Sequence, residues 1–375
     1  MPLRRGSLAP HLARGRRMPH VSLLAFFVQI VSPACEPAVH ERSGFVMGTV
    51  SELKIVSSKE SEAERALDRA NSELERIEAI ATVHSDSSEI SRLCRAAERG
   101  FQVGADLDHI LKVARLVTGR SGGAFDPSVG AIVRLWGFPK TPSLPDSQAI
   151  EAALATVGPH RWSLSEEPPE LFHPSPDATA RDRIRRWLES GPGAWTVREG
   201  TFLDLGGIAK GYAVDRATDL LSEVAGSCLV NAGGDLAIRG TRADGNAWLI
   251  GIQDPRDPSK LFTRVRLQGR GAIATSGDYE RFFEEGGVRY HHIFDPRSGW
   301  PTRGIRSVSI IAPSCELADA WATATFVLGP DEGLVLLETE PEMEGLILIE
   351  DENGDLVRRE TSGFAAFEEK DSHGT

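Results

Sequence analysis

Cysteines are few in this sequence, and nothing in their spacing would pair them. The 375 residues include four, of which Cys94, Cys228 and Cys315 are widely separated and belong to no CxxC motif. With Cys35 assigned to a leader (below), an odd number of scattered thiols argues against a disulfide framework and more strongly against a zinc site. We therefore expect these three side chains to be small core residues.

Basic residues are also scarce relative to acidic ones. The 42 lysines and arginines are outnumbered by 54 aspartates and glutamates, which gives a formal net charge of -12. This balance argues against a protein that binds nucleic acid or an anionic membrane surface, because either partner requires clustered positive charge. An acidic protein can still bind a nucleotide when a metal ion neutralises the phosphates. The length and the 41% hydrophobic content fit one large or two medium globular domains.

The apolar run at residues 21–31 is too short to span a bilayer comfortably. Arginines precede it and small residues follow it up to Cys35, an order typical of a secretion signal, so we assign residues 1–40 to a leader and linker and expect export. Cys35 resembles a bacterial lipoprotein cleavage site. The alternatives are a lipid anchor at Cys35, on the periplasmic face of the inner membrane, and a processed protein that is soluble in the periplasm or secreted. The start codon is either Met1 or Met18.

The stretch 202–215, FLDLGGIAKGYAVD, carries the densest signal. Apolar residues lead to Asp204, two glycines follow, and apolar positions at helical spacing come next, which predicts a strand, a turn and a helix. We call residues 204–210 the glycine corner. Its helix start presents unpaired N–H groups, its glycines allow an anion or a metal ion to approach the backbone, and Lys210 adds a mobile positive charge. The spacing fits neither a P-loop nor a dinucleotide-binding turn, so a plain connection is the alternative to a binding site.

The segments nearest the amino terminus combine packing elements with polar turns. Residues 44–56 predict a strand that carries a small turn at Met47, and residues 60–82 predict an amphipathic helix. His84 lies in the polar loop that follows the helix. A solvated loop histidine is the alternative there to a residue that contacts a ligand.

A glycine-rich turn precedes Asp126, which is either a helix N-cap or a site residue. An apolar helix is predicted over 129–136. The composition then shifts towards proline and charge, and we interpret residues 165–192 as a surface insertion with a helix around 184–188, the least ordered internal part of the chain.

The second half of the chain predicts many strands. They fall in 227–240, around an Asn-Ala-Gly-Gly-Asp turn, and at 248–252, 263–267 and 272–275. His291 and His292 suggest a metal site, but adjacent residues on a strand point to opposite faces. We therefore expect one of the two histidines to point inward.

An apolar helix is predicted over 316–329, and it carries Asp319 and Thr323 one turn apart on the same face. A carboxylate on a buried helix is costly without a partner. A carboxylate and a hydroxyl in this arrangement suit a hard cation such as Mg²⁺. The alternative is that Asp319 caps a neighbouring helix or pairs with an arginine.

Taken together and in this order, eight motifs resemble the ApbE family of FAD:protein FMN transferases. They are VMGT (46–49), SEISRL (88–93), SGGAFDPSVG with LWGF (121–138), DLGGIAKGYAVD (204–215), NAGGDL (231–236), TSGDYERFF (275–283), HHIFDPRSGWP (291–301) and ADAWATATFVLG (318–329). The resemblance covers residues 44–340 apart from the insertion. It implies an α+β fold of two lobes, with mixed sheets flanked by helices and a flavin site in the cleft between the lobes. We accordingly place one catalytic domain at 41–350 and an acidic tail at 351–375.

The resemblance also implies a role for individual residues. The flavin site would be lined by Met47, Ala124, Phe125 and Asp126, with Ile293 beside His292 and with His84 where relatives often carry an aromatic residue that packs on the flavin. Asp204 and Lys210 would hold FAD. Mg²⁺ would be bound by the Gly207 backbone carbonyl, Asp319 and Thr323.

The implied reaction transfers the FMN part of FAD to a Thr or Ser hydroxyl of an acceptor protein, with release of AMP. His292 is our candidate for the general base, because the pKa of histidine is naturally near neutrality; Asp278 is the alternative. The acceptor would belong to a redox-driven ion pump or a related electron-transfer protein. Two other functions use the same site: an FAD pyrophosphatase that gives FMN and AMP, and a secreted protein that binds FAD without turnover.

Overall fold

A computed structural model describes residues 37–172 and 178–369. Residues 1–36 of the predicted leader and linker, which include Met1, Met18 and Cys35, lie outside the described residues, whereas residues 38–40 already belong to the first strand rather than to a linker. The strands are β1 (Ala38–Val46), β2 (Thr49–Ser57), β3 (Phe101–Gln102), β4 (Trp162–Leu164), β5 (Ala194–Val197), β6 (Cys228–Ala232), β7 (Asp235–Gly240), β8 (Trp248–Asp254), β9 (Asp257–Leu267), β10 (Gly269–Gly277), β11 (Phe282–Glu285), β12 (Val288–His291), β13 (Ile305–Ala312), β14 (Glu344–Glu350) and β15 (Leu356–Glu360). The helices are α1 (Glu60–Ala81), α2 (Glu89–Arg95), α3 (Ala105–Arg120), α4 (Gly130–Leu135), α5 (Ser147–Leu154), α6 (Ala178–Leu188), α7 (Ala209–Ser222), α8 (Cys315–Leu328) and α9 (Pro330–Leu337).

Eight strands form one central sheet in the order β1-β2-β6-β7-β10-β13-β14-β15. Each neighbouring pair in it is antiparallel. The α+β class is confirmed, but this sheet is antiparallel rather than mixed. A two-residue connection such as the one at Met47 and Gly48 allows only antiparallel pairing of the two strands that it joins. Those two residues have φ of 52° and 75°, the left-handed conformation of a two-residue hairpin turn.

The two faces of this sheet are covered differently. We call the side packed against α1, α7 and α8 the helical face, and the side covered by the β8–β9 hairpin the hairpin face. Alternation along the strands assigns neighbouring residues to opposite faces: Val230 lies in the core of the helical face, and Leu229 lies in the core of the hairpin face. A separate cluster around Trp136 joins α4 and α5 to β12.

The predicted insertion is less superficial than we expected. Its helix, α6, is longer than predicted, and Ile184 and Trp187 are each only 8% exposed because they pack into the core of the helical face. Residues 173–177, which belong to this segment, lie outside the described residues. Strands β4 and β5 flank the insertion and pair with each other, and β5 also pairs with β3 in the same small sheet.

Two further predictions need correction. Residues Phe202 and Leu203 form no strand, because this stretch makes a single isolated bridge between Phe202 and Val129 where it passes the start of α4. Residues 351–369 are not a tail. They supply β15 at the edge of the central sheet and Phe364, which is fully buried in the core of the hairpin face.

Several other predictions are confirmed in the described chain. The helices expected at 60–82 and 316–329 are present as α1 and α8. Cys228 and Cys315 are buried and Cys94 is half-buried, each as a free thiol. In the described part of the chain, we find no helix with the length and apolar character needed to cross a membrane. The described residues belong to one compact unit.

Candidate active site

The glycine corner lies directly against α8. A Cβ atom built on Gly207 would be 2.9 Å from Oγ1 of Thr323 and 3.3 Å from Cε2 of Phe125. One turn away, the Gly211 N–H donates a hydrogen bond to Oδ2 of Asp319 (3.1 Å). The backbone of the corner therefore faces the side chains of Asp319 and Thr323, as the sequence indicated.

Small residues make this approach possible. A Cβ atom on Gly211 would overlap the carbonyl oxygen of Cys315, so α7 and α8 touch at their backbones. Asp215 on α7 accepts hydrogen bonds from the N–H groups of Cys315 (3.0 Å) and Glu316 (2.9 Å), which fixes the start of α8. Burial raises the pKa of Asp215 to about 7.

A buried charged cluster lies beside the corner. The ammonium group of Lys210 is 2.5 Å from Oδ2 of Asp235, and it donates to the carbonyl of Ala232 (3.4 Å). Lys210 is therefore held in place, which corrects the mobile charge that we expected. Burial, followed by the negative charge of Asp235, raises the pKa of Asp319 well above its usual range. Asp235 and Asp319 are 1% and 6% exposed, so two buried carboxyl groups share one neighbouring ammonium.

These residues fit a hard divalent cation. The carbonyl of Gly207, the carboxylate of Asp319 and the hydroxyl of Thr323 are all oxygen donors, the class that Mg²⁺ prefers. Because Lys210 balances only one of the two adjacent carboxylates, a cation would also offset the remaining negative charge. Among the described residues, no three His, Cys, Asp or Glu side chains are grouped so that they could bind a metal ion.

The segment around Asp126 closes the other side of the corner. The Asp204 N–H donates to the carbonyl of Pro127 (2.7 Å), and Oδ1 of Asp204 accepts from the Gly206 N–H (2.8 Å). Asp126 is no N-cap, since α4 begins only after Val129. Its Oδ1 instead accepts from the Ser128 N–H (2.9 Å) and from Nε1 of Trp162 (3.0 Å).

The two adjacent histidines have different environments. His291 is buried, its Nε2–H donates to the carbonyl of Thr302 (2.7 Å), and its Nδ1 accepts from the N–H of the buried Ile293 (3.2 Å). His292 is half-buried, and its Nδ1 is buried with no hydrogen-bond partner among the described residues. One histidine is therefore committed to the fold, and the other is available.

The pKa of His292 differs from our expectation. Burial, followed by the positive charge of Arg281, lowers it to about 3, far from the neutral value on which we based its role. The imidazole is consequently uncharged at neutral pH. Arg281 accepts a hydrogen bond from the His292 N–H at its carbonyl (3.2 Å). Its guanidinium lies 3.4 Å from a Cβ atom built on Gly48, which brings the Met47 turn to the same place.

His84 and Asp278 stand apart from this arrangement. The His84 side chain is exposed, and the structure gives no contact between it and the other candidates within the described chain. Its neighbour Val83 does line a cavity of about 150 Å³ together with Leu203, next to the corner. Arg306 (2.9 Å) and Arg289 (3.5 Å) both contact Oδ2 of Asp278, whereas Oδ1 is buried and has no hydrogen-bond partner among the described residues.

The sequence did not single out three residues that the structure places in the site. Asp235 pairs with Lys210, Ser276 lies 3.4 Å from Oγ1 of Thr323, and Arg281 adjoins His292. All three belong to motifs quoted above. A carboxylate after two glycines in NAGGDL was the available signal for Asp235, because glycines again allow close approach to the backbone.

This chain is similar to known proteins over most of its length. The model of the ApbE family matches residues 47–347. The FAD:protein FMN transferase of Treponema pallidum is 32% identical over 326 residues, which cover 83% of this chain and 85% of the relative. That of Vibrio cholerae is 29% identical and covers 88% and 94%.

Solved structures of ApbE proteins are also similar to this chain. The ApbE protein of Thermotoga maritima superposes with a TM-score of 0.73 at 31% identity, covering 89% of this chain and 100% of that one. The flavin transferase ApbE of Vibrio cholerae gives 0.73 at 26% identity, covering 88% and 99%. With the family model matched over most of its length, this chain belongs to the ApbE family.

Proposed function

We propose that this chain is an Mg²⁺-dependent FAD:protein FMN transferase, which forms a phosphoester between FMN and a Ser or Thr hydroxyl of an acceptor protein and releases AMP. The observation that carries the proposal is the contact between the glycine corner and α8, where Gly207 meets Thr323 and Gly211 binds Asp319. The names of the relatives in Treponema pallidum and Vibrio cholerae support the same reaction.

Substrate binding is assigned to the walls of the corner. Asp204 and Lys210 would hold FAD, while Met47, Ala124, Phe125, Asp126 and Ile293 would line the flavin. His84 would join them next to Val83, which lines the adjoining cavity. Met47 supports this role, because it is half-buried and its turn lies beside Arg281, the residue that adjoins His292.

The metal-binding residues would be Gly207 through its carbonyl, Asp319 and Thr323. When bound there, Mg²⁺ supplies positive charge that polarises the diphosphate of FAD and offsets the charge that develops on AMP. The chain itself supplies Lys210, whose ammonium is already fixed by Asp235 and needs no reorganisation when the substrate arrives.

Proton transfer is assigned to His292. The uncharged imidazole accepts the proton of the acceptor hydroxyl, the hydroxyl oxygen bonds to the phosphorus of the FMN half, and the bond from that phosphorus to the AMP oxygen breaks. A pKa of about 3 makes the ring a weak base in the substrate-free protein. A diphosphate bound beside the ring raises this pKa, because a negative charge stabilises the protonated form.

The location and the acceptor follow from this proposal and from the leader. We propose export, with a lipid anchor at Cys35 at the periplasmic face of the inner membrane, or otherwise a soluble periplasmic or secreted form. The acceptor is a redox-driven ion pump or a related electron-transfer protein. Mass spectrometry of the mature amino terminus tests the location directly, since a lipidated Cys35 would be the first residue.

One incubation tests the reaction. The purified chain is mixed with FAD, Mg²⁺ and a protein acceptor of the Vibrio cholerae relative, and the products are analysed by mass spectrometry. The expected result is an acceptor heavier by FMN minus water, together with an equal amount of AMP, and neither product with EDTA or with an acceptor whose Ser or Thr is replaced by Ala. Free FMN and AMP without labelled acceptor would indicate a pyrophosphatase, and bound but intact FAD would indicate a binding protein.

A further inference from the structure

The two carboxylate oxygens of Asp126 are in different states. Oδ1 accepts two hydrogen bonds, from the Ser128 N–H and from Nε1 of Trp162. Oδ2 is buried and has no hydrogen-bond partner among the described residues. The whole residue is only 4% exposed, so water compensates little for the missing bond.

We propose that Trp162 is a positioning residue that holds Oδ1 of Asp126, so that Oδ2 accepts a hydrogen bond from an N–H or O–H group of the flavin half of FAD. This inference rests on the proposed function, because it takes Asp126 to line the flavin site. The isoalloxazine ring carries an imide N–H and the ribityl chain carries hydroxyls, so the flavin half has donors of the required kind. Burial raises the pKa of Asp126, as expected for a carboxyl group that lacks one partner.

Trp162 is itself held rigidly. It is 1% exposed, and its ring is stacked on Trp195 with centroids 5.8 Å apart and an angle of 23°. The Arg115 guanidinium lies 5.0 Å from the centroid of the Trp162 ring and is fixed by Glu167 (2.9 Å). The indole N–H therefore cannot turn away from Asp126 without disturbing a packed cluster.

The same cluster ties the insertion to the core. Nε1 of Trp195 donates to Oδ1 of Asp108 (2.9 Å), and Asp108 forms an ion pair with the fully buried Lys112 (2.7 Å). Lys112 also donates to Oγ of Ser190 (2.8 Å), near the end of the insertion. The insertion thus leaves from β4 and returns through β5 at fixed points, and its anchoring supports the indole that contacts Asp126.

The two tryptophans provide a matched pair of variants. Trp162→Phe keeps an aromatic ring and removes the N–H that reaches Asp126. Trp195→Phe removes the equivalent N–H in the same stack, but that group reaches Asp108 instead. Fluorescence titration of the full chain with FAD, FMN and ADP measures the affinity of the whole substrate, of its flavin half and of its adenine half.

We expect Trp162→Phe to raise the Kd for FAD and for FMN about tenfold and to leave the Kd for ADP unchanged, because a bond to a charged group is lost only on the flavin side. The KM for FAD should rise by the same factor, with kcat at saturating FAD within about twofold. Trp195→Phe should change the FAD and FMN affinities by less than about twofold. Thermal unfolding of both variants reports the loss of packing that they share.

Three results would overturn the inference. If the two variants lowered the affinity for FAD equally, the tryptophan stack would act only through packing. If Trp162→Phe left the affinity for FAD unchanged, the indole N–H would have no role. If Trp162→Phe lost as much affinity for ADP as for FMN, Asp126 would not contact the flavin. If the unmodified chain failed to bind FAD, the proposed function would fall as well, whereas the first two results leave it intact.

Discussion

The two faces of the central sheet are built from alternate residues of the same strands, yet they serve different ends. Behind the hairpin face, large apolar side chains such as Trp248, Ile273 and Phe364 fill the core. On the helical face the strands turn small residues such as Ala237 and Ala274 towards α7 and α8. Large side chains separate the hairpin from the sheet, whereas small ones allow the helices to lie so close that the glycine corner faces Thr323.

The difference extends to charge. Asp235 follows the same alternation as Ala237, so it points to the helical face, where it meets Lys210 and adjoins Asp319. Burying carboxylates costs stability unless partners compensate, whereas burying Phe364 or Trp248 adds to it. We infer that apolar burial on the hairpin face compensates for the stability that the buried carboxylates of the site cost on the helical face. Variants on each face can break or sharpen this comparison.

The largest effect should come from Asp319→Asn. The amide keeps the size of the side chain and can still accept the Gly211 N–H, but it is a poor ligand for a divalent cation. We expect FMN transfer to fall about 10⁴-fold, or about 5.5 kcal/mol. The melting temperature without ligand should stay the same or rise, since one of two adjacent buried carboxyl groups is removed.

The measurement is FMN labelling of an acceptor, with melting temperatures recorded with and without FAD and Mg²⁺. A ligand that binds only the folded state raises the melting temperature, so the unmodified chain should show a shift that the variant lacks. Full activity in Asp319→Asn would remove the proposed metal site. A large loss of stability without ligand would contradict the view that this face gives up stability for function.

The next effect in size belongs to the hairpin face. Phe364→Ala removes a fully buried ring from the segment that the sequence suggested was a tail. We expect the free energy of unfolding to fall by about 3 to 5 kcal/mol, as for other large-to-small core changes. Denaturant titration checks this, and the kcat of the molecules that remain folded should be unchanged. A Phe364→Ala protein that stays folded but cannot transfer FMN would contradict the view that the hairpin face serves stability and not the site.

Local periodicity accounts for what the sequence predicted about the fold. The regular apolar spacing over 60–82 and 316–329 was enough to place α1 and α8 within a residue or so. Residues 202 and 203 misled us because apolar residues ahead of a turn look like a strand, while the structure uses them to pass beside α4. The strand at 356–360 was missed because its charged residues lie at a sheet edge, where little apolar patterning is required.

The sequence also predicted some properties of the site and not others. Motif order indicated which residues meet, and the contact of Gly207 with Thr323 agrees with it. What the sequence could not give were properties set by distant neighbours. The restraint of Lys210 depends on Asp235, and the low pKa of His292 depends on burial and on Arg281. Partners separated in sequence leave no local pattern to find.

His292→Ala tests the available histidine. We expect transfer to fall about 10²- to 10³-fold, the usual contribution of a general base, with the Kd for FAD changed by less than about threefold. Labelling kinetics and fluorescence titration measure the two quantities. Partial recovery of activity at higher pH would support a base role, because hydroxide or a deprotonated acceptor can replace the imidazole. Full transfer activity in this variant would remove His292 from the mechanism.

The smallest effect concerns the neighbour that we assign to the fold. Burial lowers the pKa of His291 to about 4, against 6.5 for an unperturbed histidine. Between these pH values the His291 imidazole is protonated in the unfolded chain but not in the folded chain. The free energy of unfolding therefore decreases as the pH falls through this range. From about pH 7 to about pH 4.5 this one group should remove about 2 kcal/mol from the free energy of unfolding.

His291→Gln should be less stable than the unmodified chain at neutral pH. On acidification it should lose less stability, by about that amount, in paired denaturant titrations. If the variant and the unmodified chain lost equal stability on acidification, the His291 ring would have to be protonated in the folded state, and its hydrogen bond from Ile293 could not exist as described.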